Sequence, residues 1–166
     1  MDFDSLFHRA VRIVSVRMHS SVELKTKLKK NGAEEEVLTK VIEELKRLGL
    51  LNDDLYAETY IRGLIQKPVG LQKILFQCHR HGIPVTVTKK ALQDMAWDEI
   101  ESLAKAYQEK LRTIRETDVS KRFSKLASFL AGRGFSTALI YRFLNRQKKG
   151  LKRRRLPDII YVRLSS

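Results

Sequence analysis

A pattern centred on a glycine occurs three times in the sequence, and this repetition restricts the possible folds more than any other feature. The three glycines are Gly32, Gly82 and Gly134, which are separated by 50 and 52 residues. Apolar residues stand four and eight positions before each glycine, and again five, nine and ten positions after it. A fixed period of this size is typical of supersecondary units that stack into an array.

Each unit of the pattern predicts a group of three helices. Apolar residues four apart form one side of a helix, and the glycine can end that helix because it tolerates the left-handed conformation. The apolar positions after the glycine indicate a second helix, and a further helix precedes each pair, at roughly 5–18, 54–66 and 98–115. We therefore predict an all-α protein of tandem three-helix, helix-turn-helix-like repeats. The predicted repeats cover residues 1–51, 52–96 and 97–149, and a basic C-terminal tail covers 150–166.

Positive charge is concentrated in the last third of the chain. The net charge is +14, yet residues 1–54 carry as many acidic as basic side chains. Residues 117–166 carry 13 Lys and Arg but only two Asp and Glu. A basic block on an otherwise balanced protein indicates a polyanionic partner, which is either nucleic acid or an acidic protein surface.

The predicted helices of the last repeat separate their cations from their apolar side. Arg142, Arg146 and Lys149, at spacings of four and three, form one stripe, while Leu139 and Ile140 point elsewhere. We expect this surface to meet DNA phosphates or an acidic partner. The predicted contacts in this region are Lys121, Arg122, Lys125, Arg142, Arg146, Lys149, Arg153, Arg154 and Arg155.

Four cations in the first two repeats extend the predicted contact. They are Lys25, Lys29, Arg62 and Lys73. The lysine-rich face that carries Lys25 and Lys29 fits a merely solvated helix surface equally well, because such faces usually keep a helix soluble. The basic run after Lys149 also fits a solvated tail.

No arrangement of residues predicts an enzyme or a metal site. The sequence has no glycine-rich phosphate loop and no nucleophile with a placed base. Cys78, His79 and His81 lie close together, but Cys78 takes the position of the apolar Leu28 and Leu130 in the repeats, which predicts a core residue. We expect no metal and no cofactor, with a thiol or metal role for this cluster as the minor alternative.

The remaining composition predicts a cytoplasmic protein without a membrane partner. A single cysteine cannot form an internal disulfide, which favours a reducing compartment. No apolar run approaches the roughly 20 residues that span a bilayer, and no segment resembles a secretory signal.

Several motifs in register resemble the RecX regulatory family over about residues 6–147. Individually each motif is short, and their common register makes the resemblance specific. The motifs are His8-Arg9-Ala10-Val11-Arg12-Ile13-Val14-Ser15-Val16-Arg17-Met18-His19-Ser20 with Glu23-Leu24 and Lys27-Leu28, Leu48-Gly49-Leu50-Leu51-Asn52-Asp53 with Tyr56-Ala57, Gly70 with Ile74, Gly82 and Ile83, and Arg133-Gly134-Phe135.

The resemblance implies an elongated, curved array that regulates the RecA recombinase without catalysis of its own. Members of the family bind the RecA filament on single-stranded DNA, lie in its helical groove and bridge neighbouring subunits. They thereby restrain ATP hydrolysis, strand exchange and stimulated repressor cleavage in recombination, DNA repair and the SOS response. The expected partners are the RecA filament and single-stranded DNA, with duplex DNA as a further candidate, and we expect a monomer.

A function of another class fits the same residues. The chain could be a stand-alone basic helical DNA-binding module whose helix triplets act like helix-turn-helix units in a groove. That alternative predicts tight binding to duplex DNA in the absence of recombinase.

Overall fold

The chain is helical throughout the residues that the structure describes. The computed structural model describes residues 2–30 and 32–153, and side chains as far as Lys148. No strand occurs in these ranges, which confirms the predicted all-α class. The helices are α1 Phe3–Val16, α2 Ser21–Lys29, α3 Glu35–Arg47, α4 Asp53–Ile65, α5 Leu71–Arg80, α6 Val85–Asp94, α7 Glu99–Thr113, α8 Val119–Gly132 and α9 Thr137–Arg153.

Glycine ends the second helix of each triplet, as the repeated pattern predicts. Gly32, Gly82 and Gly134 have φ angles of 76°, 73° and 87°, the left-handed region that favours glycine. After the second glycine, the amide of Ile83 bonds back to the preceding helix by donating to the Cys78 carbonyl at 2.9 Å, and a bond of the same kind follows the third glycine. The repeat therefore rests on a real backbone turn.

Three separate hydrophobic cores hold the chain together. The first is drawn from residues 6–51, the second from 56–92 and the third from 103–144. The helix pairs that pack most extensively lie within one triplet, namely within α1 to α3, α4 to α6 or α7 to α9. The described part of the chain is thus an array of small units, while its curvature stays a prediction.

The second helices of the three triplets, α2, α5 and α8, meet end to end, and we call this row the spine. The start of α2 contacts the turn that ends α5, and the start of α5 contacts the turn that ends α8. At the second of these contacts, free N–H groups at the start of α5 face free carbonyl groups at the end of α8. The opposite partial charges of the two ends also attract.

Side chains make the contact between α2 and α5, which we call the first junction. The hydroxyl of Ser20 donates to the His81 carbonyl at 2.8 Å. The amide and hydroxyl of Ser21 donate to the two carboxylate oxygens of Asp53 at 2.7 and 2.6 Å. Ser20 also caps α2, because its hydroxyl accepts from the amide of Glu23 at 3.1 Å. Short polar side chains thus join the first two repeats.

Backbone atoms make the contact between α5 and α8, which we call the second junction. The amide of Gly70 donates to the Arg133 carbonyl at 2.9 Å, and the amide of Gln72 donates to the Gly134 carbonyl at 3.2 Å. A side chain on Gly70 would overlap the Gly134 carbonyl, and one on Gly134 would overlap Lys73. The two backbones approach this closely because both positions are glycine.

Candidate nucleic-acid interface

The third spine helix starts one turn earlier than the other two, and this extra turn carries two of the predicted contacts. Aligned on the glycines, the position of Ser20 and Gly70 corresponds to Arg122, whereas α8 begins at Val119. Asp118 caps the extra turn by accepting from the amide of Lys121 at 2.8 Å. Lys121 and Arg122 are exposed. Cations are unfavourable at the positive end of a helix dipole, so helix stability does not explain them.

The last helix separates its faces as the sequence predicts. Ile140 and Leu144 are buried in the third core, while Arg142 and Arg146 are exposed. Neither arginine has an ion-pair partner among the described residues, and the same holds for Lys121 and Arg122 on α8. The third repeat therefore presents uncompensated positive charge to solvent, as an interface for polyanions requires.

Four of the other predicted contacts already form ion pairs within the chain. Lys25 and Lys29 share Glu35 at 2.7 and 3.3 Å, Arg62 binds Glu58 at 2.7 Å, and Lys125 binds Glu116 at 2.7 Å. The two lysine ammonium groups lower the pKa of Glu35 through hydrogen bonds, and Lys125 does the same to the pKa of Glu116. Exposed ion pairs of this kind are weak. A stronger anion could therefore replace the carboxylate, but it would first have to break the pair.

Lys73 belongs to a different place. It lies at the start of α5 against Gly134 and lines a cleft of about 450 Å³ that also receives Lys67 and Arg133. It therefore borders the second junction. The guanidinium of Arg133 donates to the Pro68 carbonyl at 3.2 Å and serves the junction itself.

Four of the predicted contacts cannot be placed with the others. Lys149 and Arg153 lie in the last part of α9, beyond the described side chains, and Arg154 and Arg155 lie outside the described residues.

Sequence reasoning missed an aromatic cluster beside the cations of the third repeat. The rings of Phe123 on α8 and Tyr141 on α9 lie 5.4 Å apart between centroids. The ammonium of Lys148 lies 4.0 Å from the centroid of the Phe123 ring. The spacing of seven between Tyr141 and Lys148 was a signal of a shared helix face, but the contribution of Phe123 required the packing of α8 against α9.

Comparisons with known proteins agree with the resemblance. Family models described as the first and the third three-helix domain of RecX match residues 7–45 and 98–144. The regulatory protein RecX of Prosthecochloris aestuarii is 32% identical over 145 residues, which cover 87% of this chain and 94% of that protein. The chain belongs to the RecX family. The regulatory protein RecX of Pelodictyon phaeoclathratiforme is 35% identical over 127 residues, covering 76% of this chain and 78% of that protein.

Solved RecX structures share the fold of this family member. A crystal structure of RecX from Lactobacillus salivarius matches with a TM-score of 0.73 and 20% identity, covering 89% of this chain and 97% of that one. A crystal structure described as regulatory protein RecX matches with a TM-score of 0.74 and 22% identity, covering 87% of this chain and 73% of that one. These matches confirm the predicted all-α repeat fold.

The RecX match includes much of the candidate interface. The stretch that matches the third RecX domain contains Lys121, Arg122, Lys125 and Arg142, and it ends before Arg146. RecX proteins form a family of regulators, not of enzymes. Among the described residues, no helix is both long and apolar enough to cross a membrane.

Cys78 occupies the core position that the repeat alignment predicts. It is fully buried in the second core, and burial raises the pKa of its thiol. A thiol with a raised pKa is a poor nucleophile and a poor metal ligand at neutral pH. The structure thus gives Cys78 a packing role.

Proposed function

We propose that this protein binds the filament that RecA forms on single-stranded DNA and restrains the activities of that filament. The activities are ATP hydrolysis, strand exchange and stimulated repressor cleavage. Membership of the RecX family is the observation that carries the proposal. We further propose that the protein acts in the cytoplasm, as a monomer and without catalysis of its own.

The architecture supports a regulator of a filament. Three units with separate cores, joined end to end through the spine, can contact successive subunits of a polymer. A binder that touches two neighbouring subunits at once fixes their relative geometry. Restraint of a filament whose activity depends on subunit movement then needs no chemistry from the binder.

The third repeat supports a contact with the DNA or with an acidic part of the filament. Lys121, Arg122, Arg142 and Arg146 are exposed and have no carboxylate partner among the described side chains. Between residues 117 and 148, the only acidic residue is Asp118, which is occupied as a helix cap. Such a surface attracts polyanions over distances of about 10 Å at moderate salt.

ATP hydrolysis by the cognate RecA on single-stranded DNA tests the proposal. The protein is titrated into the reaction with DNA in excess, so that competition for bare DNA is excluded. We expect inhibition at amounts well below those of RecA. Unchanged hydrolysis across the titration would contradict the proposal.

A charge-reversal variant tests the role of the third repeat. Arg142→Glu combined with Arg146→Glu should abolish most of the inhibition, because both side chains would then repel phosphate. Lys89→Glu combined with Lys90→Glu is the matched control, since it makes the same charge change on exposed residues of α6. Equal loss in both variants would show that net charge alone matters and that the third repeat is not the contact.

The alternative of a stand-alone DNA-binding module rests on the same exposed cations. It predicts salt-sensitive binding to DNA alone, with log affinity falling by about 0.7 for each phosphate neutralised on single strands. Such binding together with an unchanged RecA reaction would favour the module over the regulator.

A further inference from the structure

The aromatic cluster of the third repeat has a ring that the fold does not use. The side chain of Tyr141 is half exposed, and the residue retains 48% of its accessible surface. Phe123 is partly buried and contacts one side of Tyr141, with an angle of 60° between the ring planes. The Tyr141 hydroxyl has no hydrogen-bond partner among the described residues. Phe123 thus supports a ring that is otherwise open to solvent.

Polar side chains continue along the face of α9 that carries this ring. Asn145 and Lys148 follow Tyr141 at spacings of four and seven, which places all three on one side of the helix. Both residues are exposed. The face therefore offers an aromatic surface, an amide and an ammonium group within about two helical turns.

The cations and the exposed ring of this face together fit single-stranded nucleic acid. An acidic protein surface would pair with the cations and could also cover the ring, so binding to DNA in the absence of another protein distinguishes the two partners. Single-stranded nucleic acid uses both, because its phosphates pair with cations while its bases stack on aromatic side chains. The bases of a duplex have no free face to offer.

We propose that Tyr141 stacks against an unpaired base of single-stranded DNA, with Asn145 bonding to polar groups of that nucleotide and Lys148 and Arg142 meeting the flanking phosphates. This inference rests on the proposed function in taking the third repeat as the side that faces DNA. It adds that the surface reads the unpaired state of the bases and not charge alone.

Binding of labelled oligonucleotides without RecA tests the inference. The full chain is titrated against oligothymidine and against a duplex of equal length at one salt concentration. Tyr141→Leu keeps an apolar side chain but removes the ring face. We expect this variant to bind oligothymidine about fivefold to a hundredfold more weakly, with unchanged affinity for the duplex.

Three matched variants separate stacking from charge. Tyr141→Phe keeps the ring and should bind both DNAs as the unaltered chain does. Tyr141→Trp also keeps an exposed aromatic ring, so it should bind oligothymidine at least as tightly as the unaltered chain. Arg142→Gln removes one phosphate contact, so it should weaken both DNAs and reduce the salt slope on single strands by about 0.7.

Each outcome decides the matter. Tyr141→Leu binding oligothymidine normally, or losing both DNAs equally, would overturn the inference. If Tyr141→Leu fails to fold by circular dichroism, oligothymidine binding by Tyr141→Trp that is weaker than normal overturns it instead. An unaltered chain that shows the ring-dependent preference but does not inhibit RecA would refute the proposed function and leave the inference standing.

Discussion

The two junctions of the spine occupy equivalent places but are built from different atoms. At the first junction, the hydroxyl of Ser20 and the carboxylate of Asp53 make the contacts between repeats. At the second junction, the amide of Gly70 bonds directly to the Arg133 carbonyl. One feature is shared, since Ser21 N donates to the carboxylate of Asp53 and Leu71 N donates to the carboxylate of Glu99 at 2.8 Å.

This difference separates what each junction depends on. A contact between backbones depends on the absence of side chains, and its groups do not change charge with pH. A contact between side chains tolerates small shifts, but it depends on the protonation of the acid that accepts the bonds. The backbone contact of the second junction is therefore sensitive to added volume, whereas the carboxylate contacts at Asp53 and Glu99 are the ones that acid can weaken.

Gly70→Ala should give the largest effect, because it attacks the second junction directly. Gly70 has an ordinary φ of −87°, so alanine adds no backbone strain there. Its methyl group would instead overlap the Gly134 carbonyl. We expect the free energy of unfolding to fall by about 3 kcal/mol, as for overpacking in a tight core. Urea unfolding followed by circular dichroism measures this change.

Gly63→Ala is the matched control. Gly63 lies inside α4 with open space where the methyl group would go, so the helix should gain about 0.5–1 kcal/mol. If both alanine variants changed stability alike, the close approach of the two backbones would not be what holds the second junction.

Asp53→Asn should weaken the first junction by a smaller amount and make it insensitive to acid. Burial works to raise the pKa of Asp53, but hydrogen bonds from Lys46 and Ser21 outweigh it and the pKa is lowered. The charged form is thus favoured by the fold, and its stabilisation is complete above the usual value of 3.8 and lost as pH falls through the folded pKa. We expect a loss of about 1 kcal/mol at pH 7.

Urea unfolding at several pH values checks this expectation. The difference in stability between the unaltered chain and Asp53→Asn should shrink as the pH falls below 4. Glu99→Gln provides the comparison at the second junction. A constant difference down to pH 2.5 for Asp53→Asn would show that the aspartate does not carry the acid sensitivity of the first junction.

His19 should give the smallest effect, at a higher pH. It precedes the cap of α2, and its Nε2 lies 2.8 Å from the ammonium of Lys27 while its Nδ1 lies 2.8 Å from the Arg17 carbonyl. Burial lowers the pKa of His19, so the neutral ring is favoured by the fold. Its stabilisation is present above the usual value of 6.5 and is lost as pH falls through the folded pKa.

The unaltered chain should therefore lose some stability between pH 7 and pH 5, because the charged ring is disfavoured by burial. His19→Asn cannot titrate in this range, so its stability should vary less with pH than that of the unaltered chain. Thermal unfolding at the two pH values distinguishes them. Identical pH dependence in both proteins would show that the burial of His19 does not make the fold sensitive to pH in this range.

The sequence predicted the features that depend on neighbours in the chain. Helices, glycine turns and the core position of Cys78 follow from spacing within each repeat, and the structure confirms them. The pairing of Arg62 with Glu58 was also readable, because the two stand four apart on one helix. Local periodicity therefore predicted the fold, and the spacing of four could have predicted this ion pair, although Arg62 was predicted as a partner contact.

Local periodicity could not predict the contacts between helices that are distant in the chain. Periodicity places Phe123 and Tyr141 on their own helices, but only the packing of α8 against α9 brings the rings together. The pairing of Lys125 with Glu116 likewise depends on the turn before α8. For the same reason the predicted binding surface included Lys125, which already has a partner.

The extra turn of α8 also changes the helix start at this end of the spine. At the equivalent position in the second repeat, the amide of Gly70 is free to bond to the next unit, but in the third repeat the amide of Arg122 is already bonded to the Asp118 carbonyl at 2.8 Å. The start of α8 therefore lacks the unpaired backbone donor with which the start of α5 docks. This end of the spine instead presents the exposed Lys121 and Arg122 to solvent, so a partner would meet it through charge and not through continued helix stacking.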